Sequence, residues 1–157
     1  MKFLFVLLFI STSIVSMNRS EYANPEFQST VASTATNELK KFIDNPCYSP
    51  LWSRYGYQHV PSSYLKIIDK LLAQGARADI ISCSGDSLLF VVVRLGSYYE
   101  GFDNTALQIK IIRDLLEKGV DINIANSEGT TVLEHATLHK QPAIATLLLE
   151  YRNKNNS

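Results

Sequence analysis

Two stretches of this chain carry one pattern 44 residues apart. In LLAQGARADIISCSGDSLLFVV (Leu71 to Val92) and LLEKGVDINIANSEGTTVLEHA (Leu115 to Ala136), a leucine pair precedes Gly75 or Gly119, and a second glycine, Gly85 or Gly129, follows at the same distance. Ile67 and Ile68 fall on Ile111 and Ile112 at that offset, and a further step of 33 carries Ile111 onto Ile144 and Leu115 and Leu116 onto Leu148 and Leu149. The underlying period is therefore 33, with 11 residues inserted once. A unit of that size cannot bury its own apolar face, so a periodic chain of this kind is expected to stack its units and share one continuous core. Leu71, Leu72, Leu115, Leu116, Leu148 and Leu149 are the expected seam.

Each unit spells out two helices. Thr131 and Glu134 have the spacing of a capping box, Ser49 followed by Pro50 places a cap and a first-turn proline, and Ser87 stands at the equivalent position, so first helices are expected near 50, 88 and 132. Second helices follow Pro61-Ser62-Ser63, a further capping box from Thr105 to Gln108, and Pro142. Gly75 and Gly119 lie just beyond helix ends, where a left-handed backbone is required. VDINIANSEG (Val120 to Gly129) alternates briefly and turns, which predicts an extended finger between helix pairs.

Before the units, MKFLFVLLFISTSIVSM places one lysine ahead of an apolar run, Phe3 to Ile10, that is short of the ~20 residues a membrane-spanning helix needs. Residues 1–16 read as an export signal, with a retained membrane anchor as the alternative. Residues 17–36, rich in Ser, Thr, Asn and Ala, read for the most part as a linker, with passage into a helix near its end as the alternative, and 37–46 as a short helix stopped by Asn45 and Pro46. The 15 basic and 15 acidic side chains of the 157 cancel, which leaves no field to attract nucleic acid.

Helix, turn, helix and finger at a period of 33, with starts SPLW, SLLF and TVLE and endings LLAQGARAD and LLEKGVDIN, resemble the ankyrin repeat. The resemblance implies an all-α solenoid over 37–152: the N-terminal helix 37–46, repeat 1 at 48–76, repeat 2 at 86–120 with an inserted loop at 96–105, and repeat 3 as a cap at 130–152, before a polar tail 153–157. Trp52, Phe90 and Glu134 replace the family's histidine at the three starts. It further implies a non-catalytic binder of another protein, with no cofactor and no small-molecule substrate; the export signal adds a periplasmic or secreted location, and the balanced charge argues against a nucleic-acid partner. Membrane contact is expected only if the N-terminal segment is retained. A periplasmic inhibitor or chaperone and a secreted effector that engages host proteins both fit.

Carried onto this chain, the family's contact positions are Arg77, Asp79 and Ile81 in one finger and Asp121, Asn123, Asn126 and Glu128 in the next. Those on first helices are Tyr57, Arg94, Leu95, His135, Leu138 and His139. Asp121 and Asn126 have a competing role, since short polar side chains in turns bond their own backbone. Tyr98, Tyr99 and Phe102 in the inserted loop either anchor a partner or fold back over helix ends. Cys47 and Cys83 form a disulfide only if the first finger leans inward, because packed helices lie about 8–10 Å apart and a disulfide wants Cα atoms within about 7 Å. His135 and His139 share a helical face, which keeps a His-based metal-binding enzyme as the remoter alternative, but E-H-x-x-x-H is not the zinc-protease order and no third ligand lies nearby in sequence. No phosphate-binding glycine loop occurs, and nothing positions a histidine and an acid for a serine nucleophile.

Overall fold

The computed structural model describes residues 23–44, 63–97 and 105–155. Within these residues the chain is all-helical, with six helices, no strand, and one isolated antiparallel bridge between Ile81 and Ser87. The helices are α1 (Pro25–Ile43), α2 (Ser63–Ala73), α3 (Leu88–Ser97), α4 (Thr105–Glu117), α5 (Val132–Leu138) and α6 (Pro142–Asn155). The expected helix near 50, with Tyr57, and the inserted aromatics Tyr98, Tyr99 and Phe102 lie outside the described residues.

The first correction concerns the linker. From Pro25 onward the segment 17–36 is helix, not connector. Asn24 accepts the Glu26 N–H through its side chain at 2.9 Å, Pro25 takes the first helical position, and Glu26 opposes the positive helix end. In the Thr-rich middle the hydroxyls of Thr30, Thr34 and Thr36 donate to carbonyls four residues back, so they are satisfied within the helix and do not compete for it from a turn. Ala35, Leu39, Phe42 and Ile43 then supply the buried stripe. The helix closes at Asp44, whose N–H bonds the Lys40 carbonyl. At the other end of the chain α6 runs through Asn155, past the expected boundary at 152.

The repetition seen in the sequence reappears in the backbone. Gly75 N–H bonds Leu72 O at 3.0 Å and Ala76 N–H bonds Leu71 O at 3.1 Å; 44 residues later Gly119 N–H bonds Leu116 O at 2.9 Å and Val120 N–H bonds Leu115 O at 3.2 Å. This paired arrangement ends a helix by turning one residue left-handed, and Gly75 and Gly119 sit there at φ +89° and +80°. Beyond them Ser82 N–H bonds Asp86 O and Gly85 N–H bonds Ser82 O, a loop that Asn126 N–H to Thr130 O and Gly129 N–H to Asn126 O reproduce. These are tight turns, and the alternation in VDINIANSEG yields no strand.

Of the three expected caps among the described residues, two behave as read. Ser87 Oγ accepts the Phe90 N–H, and Thr131 and Glu134 form the full capping box. The box expected from Thr105 to Gln108 gives way to a different use of the glutamine: Gln108 is buried, and its Nε2 donates to the Val92 and Val93 carbonyls at 3.0 and 3.2 Å. A buried amide is worth more bonded to carbonyls at the end of α3 than to its own helix start.

The helices pack in two rows. In one, α2 lies on α4, joined by Lys110 to Asp69, and Tyr151 of α6 donates its hydroxyl to Leu116 O of α4 at 2.7 Å. In the other, α3 lies on α5, while α3 also packs on α4 and α5 on α6. Ile68, Leu71, Leu72, Ile111, Leu115, Leu116, Ile144 and Leu148 are buried as expected, whereas Leu149 is 37% exposed on the outer side of α6. Only one face of this last helix meets a neighbour, so its second leucine is left outside the seam. α1 runs antiparallel to α2: its Phe42 ring lies 5.1 Å from Tyr64 in the first turn of α2, while Ala32 lies against Gly75 beyond the last turn.

Candidate functional site

Two fingers, residues 76–86 and 120–130, stand between the helix pairs. The first is fastened to α1 by side chains spaced four apart. Thr36 Oγ1 accepts the Arg77 N–H at 3.0 Å, Lys40 Nζ donates to Ile81 O at 2.7 Å, and Asp44 Oδ1 accepts the Cys83 N–H at 2.7 Å. Lys40 and Asp44 are also ion-paired at 2.6 Å. The sequence reading passed over these three residues. Their spacing at 36, 40 and 44 was the available signal, masked by assigning the stretch to a linker and a short helix.

The second finger is held by itself. Asn126 Oδ1 accepts the N–H groups of Glu128 and Thr130 at 3.1 and 2.9 Å, and Asp121 Oδ1 accepts the Asn123 N–H at 2.8 Å. The competing role weighed for Asp121 and Asn126 is the one their geometry displays. The fingers touch where Gly85 lies against Ser127.

On this scaffold Arg77, Asp79, Asp121, Asn123 and Glu128 are exposed, and Ile81 stands 46% exposed at the first fingertip. Arg77 and Asp79 neutralise each other through two side-chain bonds, 2.6 and 2.9 Å. That hydrogen bonding holds the Asp79 carboxyl below its ordinary range and raises the Arg77 guanidinium above its own. Leu138, 74% exposed, and His139, also exposed, occupy the far end of α5.

Two expected contact positions, Leu95 and His135, are buried, and a third, Arg94, is largely covered. Leu95 is buried, because α3, LLFVVVRLGS, has apolar residues on every side and so no solvent face to offer. Arg94 is the exception on that helix, yet only 24% of its side chain is exposed: its guanidinium pairs with the buried Asp86 carboxylate at 2.7 Å and lies 5.8 Å from the Phe90 ring centre. His135 is 8% exposed, edge-on to Phe90 at 5.0 Å and stacked on His139 at 4.2 Å. Burial, then the neighbouring His139 and Arg94, press its pKa down to about 4 against the pull of Asp86. The stacked rings lie 29° apart, and no group of three or more metal-ligating side chains is assembled among the described residues.

Cys83 is a free, exposed thiol whose Sγ lies 3.7 Å from the Asp44 carbonyl oxygen, and Cys47 lies outside the described residues. No described helix is long and apolar enough to cross a membrane. No family model, curated protein or solved structure matches the chain.

Proposed function

We propose that this chain is an exported ankyrin-type solenoid that binds another protein without catalysis. The observation that carries the reading is the recurrence, 44 residues apart, of the same glycine-ended helix and the same turn bonds. The two-row packing supports it, since each helix pair leans on the next. The docking surface we assign is narrower than the family pattern alone implies: Arg77, Asp79, Ile81, Asp121, Asn123 and Glu128 on the fingers, with Leu138 and His139 on α5. Arg94, Leu95 and His135 serve packing instead. Fixed turns that present an exposed Ile81 beside polar groups suit protein recognition, because little loop ordering remains to oppose binding.

The test is capture of a partner by the purified chain, repeated with Ile81→Asp and Leu138→Asp after circular dichroism has established that each variant is folded. Loss of the captured protein with either folded variant supports the surface. Retention with both, or a catalytic turnover that survives both, defeats it. N-terminal sequencing of the protein recovered from cells tests the export reading: a chain beginning near residue 17 supports it, and one that keeps residues 1–16 favours the anchor.

A further inference from the structure

We infer that His135 makes the seam between α3 and α5 an acid-sensitive hinge, closed while the ring is neutral and opened when the ring takes up a proton. The inference does not depend on the identity of any partner. The ring is buried, its Nδ1 has no hydrogen-bond partner, and Phe90 of α3 meets it edge-on. A charged imidazolium needs acceptors for both N–H groups, and the closed seam offers none to Nδ1.

The surrounding charges act in the same sense. From α3 the ring faces Arg94, from its own helix His139, and from the base of the first finger Asp86. Asp86 is the one favourable charge, and its carboxylate is already engaged by Arg94 at 2.7 Å and by the Ser84 hydroxyl at 3.1 Å. α6, which also packs on α5, adds no charged group to the field at the ring. Protonation is consistent with burial only if α5 moves away from α3. α5 has seven residues, and its start is continuous with the second finger through Thr131 and Thr130.

The experiment is residue-level amide hydrogen exchange of the purified full chain at pH 7, 6 and 5, corrected for the intrinsic rate, with an NMR titration of the histidine Cε1–H signals. Opening of α5 is expected to rise by roughly tenfold per pH unit below about 6.5, while α2 and α4 keep their protection. His135 should not titrate in the closed form. His135→Leu should flatten the α5 profile and His139→Gln should largely keep it; if His135→Leu does not fold, the wild-type titration decides. Flat α5 protection from pH 7 to 5, His135 titrating near 6.5 with the seam closed, or equal loss in α2 and α5 would each overturn the hinge.

Discussion

At the scale of single residues, two side chains and two glycines decide more than their exposure suggests. His135 has a folded-state pKa of about 4, against 6.5 when free, so between these values the unfolded chain binds the extra proton. Its contribution to stability is complete above about pH 6.5 and falls away as pH drops toward 4. Between pH 7 and 5 the loss should be about 2 kcal/mol, read as a lower urea midpoint, and His135→Leu should shrink that difference. Arg94 was expected to contact a partner, but it compensates a buried carboxylate. Arg94→Leu should therefore cost about 3 kcal/mol of stability, measured by urea unfolding of the unbound protein. Gly75 and Gly119 share a left-handed backbone and differ in their surroundings: a Cβ at Gly75 would meet Ala32 Cβ at 3.1 Å, and one at Gly119 meets nothing within 4 Å. Gly119→Ala should cost about 1–2 kcal/mol from backbone strain alone, and Gly75→Ala measurably more.

Elements are fixed by their ends and by who uses their polar groups. α5 has only seven residues, so its capping box matters more than it would on a long helix: Thr131 accepts the Glu134 N–H while the Glu134 carboxylate accepts the Thr131 N–H at 2.8 Å. That bonding holds the Glu134 carboxyl below its ordinary pKa. Thr131→Ala should cost about 1 kcal/mol, and hydrogen exchange should place the loss in α5. α4 shows the opposite case. Its expected start box is absent because Gln108 reaches across to the two α3 carbonyls, and Gln108→Ala should cost about 1–3 kcal/mol by removing a buried amide and its two bonds to α3, although Val93 O keeps the Gln141 amide at 3.3 Å. Thr105 and Gln108 had the right spacing for a cap, but spacing along a helix does not reveal a neighbour that competes for the side chain.

For the whole molecule the consequence of stacking is shared stability. Leu115 is fully buried in the core where α4 meets its neighbours, so Leu115→Ala should cost about 3–5 kcal/mol. The loss should shift one cooperative urea transition seen by circular dichroism, because a unit of this size has no independent core. Leu149→Ala, at the partly exposed end position, should cost well under half as much. Two separated transitions in either variant would count against a continuous core. At this scale α1 is more than a lead-in: it covers α2 with Leu39 and Phe42 and fastens the first finger with Thr36, Lys40 and Asp44, whereas the second finger relies on Asp121 and Asn126.

The local rules of this chain were legible without coordinates wherever a residue answers to its own neighbours in sequence. Glycine at Gly75 and Gly119 predicts a left-handed helix end, Thr131 with Glu134 predicts a start, and the recurrent leucines predict the seam, because dihedral preference, capping and periodicity act over a few residues. Asn24-Pro25-Glu26 was an equally local start signal, passed over because the Ser and Thr content was read as linker. Tertiary structure alone decided which polar groups are consumed in packing. Arg94, His135 and Gln108 look available along the chain; they are withdrawn from the surface because Asp86, Phe90 and the Val92 and Val93 carbonyls arrive from elsewhere, and burial makes the polar pairings of Arg94 and Gln108 obligatory.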